Sequence, residues 1–248
     1  MLSVEAHRDA FMSLLRSEDN TGCIKYIDEH DDFYNMKFEE YGTNMLQWTC
    51  IYKRDKVAIA LIDKKCDLTY KNGFNQTALS YALLHGQRNI AAHIIDNLQD
   101  TATRNITMHG HYVSELMMLC NYDDTNNVIK MIDKGHDIYY ETDSDKLYYK
   151  SLFTIALVMH NEVIAKKLID IDTDFIIKFK YYNNVLTISQ KMRNKIMKYC
   201  ADKYDAYKHK IIDTMNSASP TNALYQSFHT TYAVQLVDII CDFILLRI

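Results

Sequence analysis

Few residues of this chain stand at spacings that could do chemistry. His109-Gly110-His111 sets two imidazoles two residues apart, enough for a pair of metal ligands, but no further Cys/His partners stand at zinc-site spacing. Two exposed histidines at a loop tip satisfy the same pattern. Asp143-Ser144-Asp145 offers two carboxylates to a cation, yet the glycine and distal glutamate of a calcium loop are missing. A solvated turn accounts for it. The six cysteines contain no Cys-x-x-Cys pair, and without a signal peptide they read as reduced packing residues. No glycine-rich phosphate loop, Gly-x-Ser-x-Gly elbow or His-Glu-x-x-His pair is present. No catalytic residue, metal ligand or cofactor set is therefore expected, and function must lie in surfaces.

What builds those surfaces is a repeat. An Ile-Asp pair recurs as Ile27-Asp28, Ile62-Asp63, Ile95-Asp96, Ile132-Asp133 and Ile169-Asp170, in steps of 35, 33, 37 and 37 residues. A second aspartate follows each at a fixed offset: Asp32, Asp67, Asp100, Asp137 and Asp174. Periods in this range mean stacked copies of one supersecondary unit. Eighteen residues before each isoleucine stands Asp9, Asn44, Thr77, Ser114 or Ser151, mostly N-cap types, and apolar residues follow at helical spacing. A second apolar set precedes each pair, after a polar break such as His85-Gly86-Gln87. Each unit thus reads as two short antiparallel helices and a longer connection. The isoleucine should be buried in every copy. The aspartate next to it should stand on the outer face, as an acidic docking strip or, more simply, as a residue of duplication.

These units resemble ankyrin repeats. The third copy, Thr77-Ala-Leu-Ser-Tyr-Ala-Leu-Leu-His-Gly86, follows the family's Thr-Pro-Leu-His-x-Ala-Ala-x-x-Gly, and Met131-Ile-Asp-Lys-Gly-His-Asp-Ile138 follows its Leu-Leu-x-x-Gly-Ala-Asp-Val. The resemblance covers residues 5 to 185 and implies an all-α ankyrin-repeat helical solenoid with β-hairpin or loop fingers between repeats. Repeats fall at 5–37, 38–72, 73–107, 108–145 and 146–182, and residues 186 to 248 read as divergent helical repeats or a cap. By repeat position, Cys50, Cys66 and Cys120 replace small family residues. The steps exceed the family's 33 by even numbers, as lengthened hairpins require if each strand is to keep its faces.

The copies also depart from the family. Its proline after the cap is missing throughout, and its histidine is replaced by Met12, Gln47, Ser80, Met117 and Thr154, which predicts less rigid helix starts. Its turn glycine survives only as Gly135; His30, Lys65, Leu98 and Asp172 stand elsewhere, so those turns are strained or different. After Phe175 the phase decays. Tyr181–Ser189 could open a sixth unit and Ile211-Ile212-Asp213 could close a stretched one.

The connections are rich in aromatic residues, which serve both cross-strand packing and partner contact. Phe38 and Tyr41 stand in the first, Tyr70 and Phe74 in the second, and Tyr112 in the third. The fourth holds Tyr139, Tyr140, Tyr148 and Tyr149, and the fifth Phe175, Phe179, Tyr181 and Tyr182. The first nine of these are the candidate partner-binding residues.

Composition sets the remaining expectations. A net charge of -4 gives no general attraction to nucleic acid or anionic lipid. The most apolar stretch, residues 233 to 248, is interrupted by Asp238 and Asp242 and is too short to span a bilayer. A buried cap helix is the simple reading of it. The sharper one is an F-box-like segment recruiting a ubiquitin-ligase component, as in some viral ankyrin proteins, although the leucine-proline opening is missing. Phrases such as Leu61-Ile-Asp-Lys64 and the bias toward Tyr, Ile, Asn and Lys resemble arrays encoded by large DNA viruses. The expectation is a monomeric, intracellular, cytoplasmic protein without enzymatic activity, binding a protein partner through the concave face formed by fingers and first helices.

Overall fold

The computed structural model describes residues 3–31, 33–38, 41–217 and 221–228, together with 237 and 239. Two compact units divide the chain, Met1–Ile155 and Ala156–Ile248.

In the first unit four helix pairs follow one another: α1 (Val4–Arg16) with α2 (Asn20–Glu29), α3 (Met45–Ile51) with α4 (Asp55–Asp63), α5 (Ala78–Leu84) with α6 (Arg88–Asn97), and α7 (Glu115–Asn121) with α8 (Thr125–Asp133). First helices pack on first helices and second on second, α3 on α5 and α5 on α7, α2 on α4, α4 on α6 and α6 on α8. Helices of seven to thirteen residues are marginal alone in water, so burial between neighbours must hold them. The isoleucine that ends each second helix does this: Ile27, Ile62, Ile95, Ile132 and Ile169 are 0, 2, 0, 7 and 0% exposed.

Helix starts are firmer than the missing family residues predict. Gln47 and Ser80, standing at the family's histidine position, bond back to the N–H of Asn44 and Thr77, completing reciprocal capping boxes. Thr154 does the same for Ser151 at the start of α9 (Leu152–Val158). Only the first and fourth copies, with Met12 and Met117, lack the return bond. In the first copy the helix starts earlier, at cap Ser3, which leaves Asp9 inside α1.

Every helix pair turns through a left-handed residue nine positions before its isoleucine. Glu18, Lys53, Gly86, Asp123 and His160 have φ of 65, 56, 73, 53 and 58°. Beyond the second helix two geometries occur. Lys65 and Gly135 are left-handed, at 61 and 88°. His30, Leu98 and Asp172 instead take extended backbone, each after a helix one residue longer. The turn itself differs there, so three of the four missing glycines cost no strain.

The fingers are less uniform than expected. The third is a β-hairpin, β1 (Asn105–Met108) paired with β2 (His111–Ser114) from Asn105↔Ser114 to Met108↔His111. His109 and Gly110, with φ of 50 and 80°, form its two-residue turn, as a hairpin twist requires. The first and fourth keep single bridges, Lys37↔Asn44 and Glu141↔Ser151. Equal length does not dictate a hairpin: in the fourth, Thr142 and Ser144 bond to nearby backbone, and Leu147–Tyr149 forms a 3-10 turn.

In the second unit α10 (Glu162–Ile171) is followed directly by α11 (Asp174–Val185). No finger forms there. Phe175, Ile176, Phe179 and Tyr182 repeat at helical spacing and are buried, which favours a helix over a hairpin. Next comes α12 (Gln190–Asn216), which packs on α10 and receives α13 (Ala223–Phe228). Lys195 pairs with Glu162 and Lys203 with Asp170, a constant step of 33 residues, so α12 lies parallel to α10 as a next second helix would. The partner of α10 is therefore the first half of α12, and Ile211-Ile212-Asp213 lies beyond it. The apolar stretch 233–248 lies outside the described residues, except for Val237 and Ile239.

Candidate interaction surface

Several outward charges of the second helices pair with a neighbouring second helix. Asp28 pairs with Lys64 at 3.1 Å, Asp63 with His93 at 2.9 Å and Asp96 with Lys130 at 2.8 Å. Asp170 pairs with Lys203 and accepts from the Tyr199 hydroxyl at 2.5 Å. Lys134 adds donation to the Ile95 and Asp96 carbonyls at 2.5 and 3.1 Å, groups a helix C-terminus leaves unsatisfied. At the other ends of these helices, Arg54 pairs with Glu18 at 2.6 Å, Gln87 donates to Asp55 at 2.6 Å, and Glu162 is held by Lys166 and Lys195. Those two ammoniums hold the Glu162 carboxyl down to about 2. Asp28, Asp63, Asp96 and Asp170 thus each reach a side chain of a following second helix.

The finger side is different. Tyr41 and Phe74, on successive fingers, stack at 5.0 Å between centroids yet remain 43 and 54% exposed. Their backbones are locked together: Gly73 N–H donates to the Tyr41 carbonyl at 3.0 Å, and a Cβ at Gly73 would meet that oxygen at 3.3 Å. Tyr112 and Tyr139 stand 65 and 52% exposed. These four candidates present large surface to solvent.

The other five are committed to the fold. Phe38 is half-buried, edge-on to Trp48 at 5.8 Å, with the Arg8 guanidinium 4.7 Å from its ring centre. The Tyr70 hydroxyl donates to the Gly42 carbonyl at 2.6 Å, and the Lys37 ammonium lies 4.1 Å over its ring. Tyr140 is half-buried, and burial raises its phenol. Tyr148 bonds to Asn121 of α7, and burial pushes its phenol up to about 12. Tyr149 stacks on His111 of the preceding finger at 4.9 Å. Tyr41–Phe74 and His111–Tyr149 join one finger to the next, whereas Tyr148 and Tyr149 meet within one finger, 4.3 Å between centroids.

The first helices contribute residues that a reading confined to the connections passes over. Trp48, Tyr52, Tyr81 and Tyr122 are half-buried beside the fingers, and Leu84 is 46% exposed. Trp48 touches Phe38, and Tyr81 accepts from Asn72 of the second finger at 2.9 Å. The signal was available: these aromatics fall four and eight residues past the caps.

His109 and His111 meet Tyr149, and His111 also meets Ser144 at 3.2 Å. Among the described residues no group of three or more His, Cys, Asp and Glu could hold a metal ion. Burial pushes the thiols of Cys23, Cys66 and Cys200 up to about 11, 12 and 11, and those of Cys50 and Cys120 higher still. These remain thiols, suited to packing. Among the described residues no helix is long and apolar enough to cross a membrane.

No family model and no curated protein matches the sequence. Structural comparison does find a likeness. The crystal structure of EF0377, an ankyrin repeat protein, aligns over 81% of this chain and 98% of its own, with a TM-score of 0.59 at 17% identity. The fold is an ankyrin-repeat fold. The ligase-adaptor reading rests on residues 233–248, and nothing among the described residues favours it.

Proposed function

We propose that this ankyrin-repeat protein is a non-catalytic interaction module that binds a protein partner through its fingers and first helices. One observation carries the reading. Tyr41, Phe74, Tyr112 and Tyr139 hold 43 to 65% of their surface in solvent, at least one on each finger of the first unit. Tyrosine and phenylalanine held on a fixed backbone supply contact area at low entropic cost, as interface anchors do. On the second helices, Asp28, Asp63 and Asp96 are instead engaged with the next repeat.

The test uses the full chain, tagged and recovered with its partner from its native cell. Replacing Tyr41, Phe74, Tyr112 and Tyr139 together by alanine should reduce capture by about thirtyfold or more, the loss expected of one or more anchors. Lys64→Ala with Lys130→Ala, on the second-helix side, should leave capture unchanged. Undiminished capture by the fourfold variant, with its helical signal intact, refutes the assignment.

A further inference from the structure

The junction between the third and fourth repeats is built unlike the others. Seventeen residues before the isoleucine, the position that opens the first helix in the second, third and fifth copies, the other copies carry Ala10, Met45, Ala78 and Leu152; the fourth carries Glu115. Glu115 is 3% exposed and accepts from the Thr77 hydroxyl of the preceding repeat at 2.5 Å. Arg104, 8% exposed, places Nη1 at 3.7 Å from the other Glu115 oxygen and Nη2 at 2.5 Å from Asp100. His136 completes the cluster, where other copies carry Asp31, Cys66, Gln99 and Thr173. It is 6% exposed, and its Nε2 is buried without a hydrogen-bond partner. Arg104, Glu115, His136 and Asp137 share the walls of a cavity of about 10 Å³, space for at most one water.

We propose that this junction is an acid-sensitive latch between the third and fourth repeats, released when His136 takes up a proton. A neutral imidazole fits the site. An imidazolium would be a second buried cation beside Arg104, with Lys134 on its own turn adding like charge. The carboxylates that could compensate are Asp100, already bonded to Arg104, and Glu115, already bonded to Thr77 and facing Arg104; Asp137 is turned to solvent. Burial, then Arg104 and Lys134, lower the His136 pKa from its ordinary 6.5, with Asp100 alone opposing. The unfolded or separated state therefore binds the proton more readily. The stability His136 confers is present above pH 6.5 and lost as pH falls through its lowered folded-state value. Glu115 acts oppositely. Burial raises its carboxyl above 4.5, so acid relieves the cost of its buried charge. Removing Glu115 as a titrating group should steepen the response. Because Glu115 N–H bonds to the Arg104 carbonyl at 3.2 Å, release also loosens the base of the third finger, which carries Tyr112.

Hydrogen exchange of the full chain between pH 7.5 and 5, corrected for intrinsic pH dependence, tests this. α7 and α8 should lose protection relative to α3 and α4 by up to about tenfold per pH unit between pH 6.5 and the lower His136 midpoint, and no further below it. His136→Gln should flatten that loss and Glu115→Gln should steepen it. An unchanged ratio in the native chain, or a loss persisting in a folded His136→Gln protein, overturns the latch. Should that variant fail to fold, the imidazole titration followed by NMR decides: a midpoint below 6.5 supports the latch, and one at or above it overturns the latch.

Discussion

Replacing Lys53 by glycine should stabilise this protein, and replacing Gly86 by alanine should destabilise it by a similar amount. Both residues occupy the same left-handed position between first and second helix, at φ of 56 and 73°. A non-glycine residue there costs about 1–2 kcal/mol, because Cβ crowds the following carbonyl. Glycine returns about 0.4–1 kcal/mol of that by giving the unfolded chain more freedom. The difference leaves roughly 0.5–1 kcal/mol in favour of glycine. The pair isolates the backbone effect, since a Cβ at Gly86 would meet nothing within 4 Å and Lys53 makes no ion pair among the described residues. Glu18 would confound the test through its bond to Arg54, and His160 through Ser189. Urea unfolding followed by the single tryptophan, Trp48, reports on the repeat that contains Lys53. Lys53→Ala serves as control and should leave the midpoint nearly unchanged, because it keeps Cβ. Midpoints of Lys53→Gly and Gly86→Ala moving in the same direction would refute the strain account.

Two further outcomes follow from neighbouring residues and from one carboxylate. Ile95→Ala should cost about 2–5 kcal/mol, as a fully buried truncation does, whereas the Asp96–Lys130 coupling in a double-mutant cycle should stay below about 1 kcal/mol and fade at about 1 M salt. Equal losses at the two adjacent positions would contradict the inward and outward assignment. Glu162 should titrate near 2 by NMR, and Lys166→Ala or Lys195→Ala should each raise that midpoint. Its folded value is depressed, so the stability it contributes is present above 4.5 and lost as pH falls toward about 2.

Much of the fold was legible because its core obeys one period. The helix pairs and the buried isoleucines follow from apolar spacing and cap residues, which are local signals; the first helix, which starts at Ser3 and not at Asp9, does not. Finger form was not legible from length. The two 37-residue steps end as a hairpin and as a 3-10 turn, and the difference lies in His109-Gly110 accepting two positive φ angles while Thr142 and Ser144 bond to nearby backbone. The sixth pair was hidden because Phe175, Phe179 and Tyr182 resemble finger aromatics until their helical spacing is weighed against a missing turn. At the candidate surface, residue type could not separate exposed Tyr112 from Tyr70, whose hydroxyl and ring are both engaged by the first finger. That separation depends on contacts across about thirty residues, which no local pattern records.

The Ile-Asp pair shows where periodicity stops informing. Adjacent helical residues lie about 100° apart, so one position can be wholly buried while its neighbour faces solvent. The isoleucine is explained inside its own repeat. The aspartate is not, because an anion at a helix C-terminus is mildly unfavourable; its compensation comes from the following repeat. The donors differ in type and register: Lys64 stands two residues after its isoleucine, whereas His93 and Lys130 stand two before theirs. Simple copying would have kept donor and acceptor in phase together. An acceptor held in phase while its donors shift implies that pairing was rebuilt at these three junctions, as long side chains reaching one oxygen from several backbone positions allow. The second helices thus carry ion pairs from one to the next at Asp28, Asp63, Asp96 and Asp170, while the fingers carry the exposed rings of Tyr41, Phe74, Tyr112 and Tyr139.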